Sequence, residues 1–335
     1  MGYPILTDLM PINKHPCEWF WGLVIIKTMR KKLPLMMGIL IAGFSCLFGL
    51  QNTGESVFAE SDVRLEFRSL LQGEIVRIQV AGKGLIRQAE VLFMGKTYVM
   101  GHGSNTDLWL TFLGLDLGME SGAYPVEISL LFHDGHHRNI QREILVGERD
   151  FPTKKLWVKQ EYVTPPKEVL ERIRWESQLL DQIYDIFTVQ WYGQGPFIIP
   201  TEGEANDNFG ERRIFNNEPR SQHSGVDISS PFGAPVRASN SGRVVLAKNL
   251  YFAGNTVIID HGLGVFTSYL HFSKILVNRG DMVRKGEIIG EIGATGRVTG
   301  PHLHWGVRVS GSRIDPFSLL SLNWGQDIFS PINFP

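Results

Sequence analysis

From Gly225 onward the chain never runs far without meeting a turn residue. Short β-branched or aromatic runs at 236–238, 242–247, 255–260, 265–270, 288–292 and 302–309 follow one another, separated by Gly, Asn, Asp and Pro. Runs this short are strands rather than helices, and at this density they predict a closed or sandwiched antiparallel domain. The 36 glycines among 335 residues suit the many turns of a mainly β protein.

The preceding part is β as well. Residues 74–80 (EIVRIQV) and 126–132 (VEISLLF) alternate, the second placing Val126, Ile128, Leu130 and Phe132 on one face. Asp134-Gly135 then predicts a hairpin turn into a returning strand at 138–146. From 63 to 146 this reads as a β-sandwich of immunoglobulin-like size, about 85–90 residues. His133, His136 and His137 fall at the hairpin tip, with no carboxylate or cysteine framework for a metal. Residues 151–163 form a linker with one strand at 156–158. Thr164, Pro165 and Pro166 open a helix over 167–187, with Leu170, Ile173, Leu180, Ile183 and Phe187 on the face that packs against a neighbour. The Gly- and Asn-rich segment 203–217 reads as a long surface loop able to wall a substrate groove. The tail from Asp315 packs along the edge of the last domain.

The start of the chain concerns export. Met29 and three basic residues precede an 18-residue apolar stretch, 33–50, and Val57-Phe58-Ala59 supplies a cleavage signal before Glu60. This reads as a secretory signal with its true start at Met29, the rival being an uncleaved membrane anchor. The expected organisation is a leader at 1–59, a β-sandwich accessory domain at 60–150, a linker with an amphipathic helix at 151–200, and a catalytic domain at 201–335. Cys17 and Cys46 both precede Glu60, so disulfides, a thiol nucleophile and a thiolate metal site are excluded from the mature chain. A net charge of -1 without a long basic run argues against nucleic-acid binding.

Candidate chemistry centres on His223 and Asp227. On a straight strand, side chains four residues apart are separated by about 13 Å. They share one small ion only if the chain bends, and Gly225 between them permits a bend. His302 and His304 have strand spacing and point to one face, so either supplies a third ligand. Two His and one Asp leave a fourth zinc position open, as in catalytic sites. The bland alternative is a set of buried, hydrogen-bonded histidines. His271, ending an apolar run, is placed at the mouth of the same pocket, and His261 in Asp260-His261-Gly262 reads as a structural turn residue.

Together HSGVD, YLHFSKI and GPHLHW, with the stretches GAPVRASNSGRVV, GNTVIIDHG and GDMVRKGEIIGEIGATG between them, resemble the lysostaphin-like, LytM-type zinc metalloendopeptidases of peptidoglycan. The resemblance covers 209–320. Phe272, where Leu is more usual, is a small departure. It implies an antiparallel β-sandwich or barrel, one Zn2+ held by His223, Asp227 and His304, His302 as general base, and His271 assisting. It further implies hydrolysis of cross-linking or stem peptides in the periplasm or cell envelope, membrane contact only through an uncleaved leader, and a cell-envelope protein partner as an option for the β-domain. The bond would lie in a Gly-rich bridge or in a D-alanyl-diaminopimelyl cross-link. A non-catalytic wall-binding or hydrolase-activating module is the alternative, although such relatives lose zinc ligands that are intact here. A phosphocarrier reading of GDMVRKGEIIGEIG conflicts with export and with Asp227. Asn206, Asp207 or Asn208 is a further candidate to occupy the open coordination position in a latent form.

Overall fold

The alternating runs at 74–80 and 126–132 do form strands, Ile75–Ala81 and Gly122–Phe132. The structure, a computed structural model, describes residues 59, 62–102 and 107–324, so the apolar leader and both cysteines lie outside the described residues. One sheet has the order Val63–Glu66, Ile75–Ala81, Leu108–Gly114, Gly101–His102. The other has the order Lys96–Val99, Ile86–Phe93, Gly122–Phe132, His137–Val146. Val76, Ile78 and Val80 of the first sheet meet Val91, Phe93, Val126, Ile128 and Leu130 of the second in one core. Gly135, at φ 86, turns the long hairpin, and its three histidines are exposed.

The first sheet is buried on both faces. Ile75, Leu110 and Phe112 pack outward against Val265, Val307, Val309 and Trp324 of the C-terminal half. That second burial hides charged members of the alternating run, Glu74 and Arg77. Arg77 pairs with Glu66 and donates to the main-chain carbonyl of Asn323. Glu74 and Asp315, both buried, are met by Arg68 and Arg149. Buried carboxylates stay charged only with such partners. Both halves belong to one compact unit, Glu55–Pro335.

The C-terminal half is built on an eight-stranded sheet. Its path runs Glu204–Ala205, Gly225–Ser229, Leu303–Val309, Val265–Phe272, Gly254–Gly262, Gly242–Leu250, Met282–Val283, with Ser312–Ile314 beside Leu303–Val309. The smaller sheet of Pro235–Arg237, Ile288–Glu291 and Lys274–Ile275 shares a core with it through Val226, Val257, Tyr269, Ile289 and Trp305. The helix is shorter than its periodicity suggested. A 3₁₀ turn at Lys167–Val169 precedes an α-helix at Leu170–Tyr184. It ends there because Phe187 turns away into the junction between the two halves. Leu179, Leu180, Ile183 and Tyr184 cover Leu246, Leu250, Ile258 and Phe266, whereas Leu170 stays exposed. Among the described residues no helix is long and apolar enough to cross a membrane.

Segment 203–217 is not a surface loop. It contains the strands Glu204–Ala205 and Arg212–Phe215, the latter paired with Glu218–Gln222 and, in parallel, with Thr153–Leu156. The strand expected at 156–158 is thus shifted back to Thr153–Leu156. Phe209 and Phe215 anchor the segment in the interior. Phe209 lies against Gly73, which at φ 84 and without Cβ leaves room for the ring, and the Arg149 guanidinium sits 5.5 Å from its centre.

His261 belongs to the Gly254–Gly262 strand rather than to a turn. It is fully buried; Nδ1–H donates to the Ser241 carbonyl at 2.8 Å and Nε2 accepts from the Thr267 hydroxyl at 2.7 Å. Burial pushes its pKa down to about 4 against an ordinary 6.5. Above pH 6.5 the ring is neutral folded or unfolded. Between 6.5 and 4 only the unfolded chain takes up the proton, so stability falls as pH falls through that window. The loss approaches about 3 kcal/mol. Urea denaturation at pH 7.5 and pH 4.5 should show a steeper pH slope for the wild-type chain than for His261→Gln; equal slopes would reject this assignment.

Candidate functional site

His223 and Asp227 converge because the chain changes sheet between them. Glu218–Gln222 ends one sheet, His223 and Ser224 lie outside any strand, and Gly225–Ser229 enters the large one. The bend therefore falls one residue before Gly225. Gly225 serves a different purpose: a Cβ there would meet the Trp305 carbonyl oxygen and, at 2.8 Å, Nε2 of His304. Asp227 and His304 are register partners on adjacent antiparallel strands, which sets their side chains together.

Three donor atoms form a triangle. Nε2 of His223 lies 2.8 Å from Nδ1 of His304 and 3.0 Å from Oδ1 of Asp227, and the third edge is 3.1 Å. Ligand atoms on a tetrahedral zinc, with bonds of about 2.0–2.1 Å, would be about 3.3 Å apart. The donor set fits a small cation on chemical grounds too. Nδ1–H of His223 donates to the Asn208 carbonyl at 2.8 Å, leaving its Nε2 a lone pair. One proton on His304 Nδ1 can serve two edges of the triangle. The third edge, His223 Nε2 to Asp227 Oδ1, then sets two acceptors against each other, and a central cation relieves it. Burial pushes the His304 pKa down to about 4 despite the Asp227 hydrogen bond, so its ring is neutral at pH 7. Burial works against ionised Asp227, but the His223 and His304 rings beside it hold its carboxyl well below the usual range. His304 thus presents a neutral imidazole beside an ionised Asp227, the protonation states that metal ligation needs of them.

The other Asp227 oxygen is held from outside the triangle. Oδ2 accepts from Asn208 Nδ2 at 3.0 Å and from Arg213 Nη2 at 2.7 Å. Asn208 Oδ1 accepts from the Asp227 main-chain N–H at 3.1 Å. Asn208 therefore orients two of the three donors and turns no oxygen toward an open coordination position. Asn206 likewise donates to the Asp227 carbonyl, and Asp207 is exposed, 3.7 Å from Arg149. None of the three occludes the centre. Partners of this kind typically set metal affinity by about 10–100-fold. Asn208→Ala keeps the carbonyl that holds His223 but loses both contacts to Asp227. Chelator competition should show metal binding weakened by that factor; unchanged affinity would mean that Asp227 needs no such support.

His302 and His271 border the triangle. Nδ1–H of His302 donates to the Gly300 carbonyl at 2.9 Å, and its Nε2 lies 3.7 Å from Asp227 Oδ1. Nδ1–H of His271 donates to the Thr295 carbonyl at 2.8 Å. Both rings thus keep their lone pairs on Nε2, and they stand 5.0 Å apart. His271 has a left-handed backbone, φ 70, a strain of about 1–2 kcal/mol that its surroundings must hold. Burial, then the neighbouring His302 and His304, push its pKa down to about 3. These groups lie in a groove of about 400 Å³, walled partly by Asn206, Asn208, Arg213 and Phe215 of the anchored segment. Sequence spacing gave no hint of Arg213, and Asn208 was singled out only for a role it does not have. The apolar Phe209 and Phe215 flanking them were the available sign that the segment is anchored.

Residues 221–316 match the model of peptidase family M23. Over 118 residues the chain is 43% identical to peptidoglycan DD-endopeptidase ShyA of Vibrio cholerae, covering 35% of this chain and 27% of that protein. Over 97 residues it is 44% identical to DD-carboxypeptidase/endopeptidase Mpg of Neisseria meningitidis, covering 29% of this chain and 22% of that protein. The chain thus spans about a quarter of the length of these relatives. A crystal structure of a candidate peptidase M23 from Pseudomonas aeruginosa superposes with TM-score 0.59 at 26% identity, covering 76% of this chain and 96% of that one.

Proposed function

We propose that this chain, whose residues 221–316 are a peptidase family M23 domain, is a zinc-dependent endopeptidase that hydrolyses peptide cross-links of bacterial peptidoglycan. The observation that carries the reading is the His223–Asp227–His304 triangle, opening beside two further histidines whose lone pairs are fixed on Nε2. His223, Asp227 and His304 would hold one zinc ion. When bound, it supplies Lewis acidity toward water and the scissile carbonyl. His302 Nε2 accepts the proton of the attacking water and returns it to the leaving amine. His271, neutral and with Nδ1–H engaged, accepts a hydrogen bond at Nε2 and so orients the same water; it does not donate to an oxyanion in that form. Asn208 and Arg213 hold Asp227 ionised and aimed.

The DD-endopeptidase names of the relatives favour a D-alanyl-diaminopimelyl cross-link over a Gly-rich bridge. Such a substrate lies outside the cytoplasmic membrane; together with the basic and apolar pattern at 29–50 it supports a reading of the protein as exported to the periplasm or cell envelope. The test is digestion of purified sacculi by the zinc-loaded chain, followed by mass spectrometry of the muropeptides. Conversion of cross-linked dimers to monomers with a new diaminopimelyl amine is expected. Intact dimers from several wall types, with zinc bound, would instead favour a wall-binding module.

A further inference from the structure

The segment 206–211 is gripped from two sides. Toward the donor triangle, Asn208 holds His223 through its carbonyl and Asp227 through its side chain. The next residue, Phe209, is seated against the N-terminal half instead. A Cβ on Gly73, just before the Ile75–Ala81 strand, would overlap Cε1 and Cζ of its ring. The Arg149 guanidinium carbon lies 5.5 Å from the ring centre, and the Phe151 ring stands edge-on at 6.2 Å. Gly210 is equally confined, since a Cβ there would overlap the Phe151 ring.

The seat is itself fixed. Gly73 N–H donates to the Leu115 carbonyl at 2.7 Å, and the Gly73 carbonyl accepts from Asp315 N–H at 2.7 Å. Arg149 is tied to the buried Asp315 carboxylate at 2.9 Å, and its main-chain N–H donates to Gln72 at 3.2 Å. Leu117 of the N-terminal half joins Phe151 and Phe209 in the core that contains Val226 and Ile228, the neighbours of Asp227. Close-packed groups between fixed backbone points transmit strain rather than absorb it. Resting on the metal-site reading above, we infer that the β-sandwich half is part of the metal centre. Gly73 and Arg149 seat Phe209, and Phe209 is a positioning residue that sets Asn208 against His223 and Asp227. All four residues of this brace, Gly73, Arg149, Asn208 and Phe209, lie outside the family match at 221–316.

Competition for zinc with a chromophoric chelator, on the full chain well below its Tm, tests this. Phe209→Leu should weaken zinc binding about tenfold. Combined with Asn208→Ala, the loss should be less than the product of the two single losses, because both act through one residue. Gly73→Ala should weaken zinc in a chain that keeps Phe209. It should add nothing to Phe209→Leu, which lacks the ring atoms the new methyl would meet. Phe93→Leu, in the core between the two sandwich sheets, is the control for a purely structural loss: Tm falls and zinc affinity does not. Wild-type affinity in Phe209→Leu overturns the inference, as do losses that multiply. Should Phe209→Leu fail to fold, Gly73→Ala decides in the same way. A wild-type chain that binds no zinc rejects the metal reading itself, whereas wild-type binding with unaltered variants rejects only the brace.

Discussion

In a His304→Ala protein, zinc-dependent thermal stabilisation and release of new peptide termini from sacculi are both expected to vanish. His304 supplies one corner of the donor triangle, 2.8 Å from His223 and 3.1 Å from Asp227. Two remaining donors do not make a closed site for a small cation. With free zinc at about 1,000 times its dissociation constant, the wild-type fold gains about 4 kcal/mol. For a domain of this size that is a rise in Tm of roughly 10 °C. The metal-free proteins should differ less than the zinc-loaded ones, because His304 in the absence of a cation sits in a triangle with one acceptor–acceptor edge. Zinc stabilisation surviving in the variant would show that the ligand set is wrong.

His302→Ala should separate chemistry from metal binding. The ring lies outside the triangle, with Nε2 3.7 Å from Asp227 Oδ1 and Nδ1–H tied to Gly300. Its removal leaves all three donors in place. Stoichiometric zinc and an unchanged zinc-dependent Tm are expected, with kcat lowered about 10²–10⁴-fold, the usual worth of a positioned proton acceptor. If kcat fell by less than a factor of ten, the proton would have to go elsewhere, and His271 is the neighbour to replace next. Were zinc lost instead, His302 would be a ligand and the division of labour within His302-x-His304 would need to be reversed.

Strands were legible wherever one face is buried and the next residue is not, as at 242–247 and 126–132, because alternation records that asymmetry directly. Segment 203–217 was misread for the opposite reason. Its Gly and Asn residues suggest a loop, yet Gly210, at φ 78, is where the segment folds against Phe151. The helix overran because Phe187 continues the apolar spacing while serving a different core. In the site, His-x-His and H-x-x-x-D spacing brings the right types together, but long-range geometry decides what each does. Arg213 and Asn208 reach Asp227 from strands and turns whose placement no local pattern reports. Gly225 was given a bend to make, and is needed instead for clearance beneath His304.

The strand that carries His304, Leu303–Val309, is the last long strand of the described chain, yet it lies between Gly225–Ser229 and Val265–Phe272 in the sheet. Its two neighbours are synthesised first and must wait, each with an unsatisfied edge, for a segment that arrives some tens of residues later. Because pairing with that segment is also what brings His304 opposite Asp227, completion of the sheet and assembly of the donor triangle are one event. A chain interrupted before residue 304 lacks one corner of the donor triangle. Strand order alone thus makes the triangle one of the last features this half of the fold can assemble.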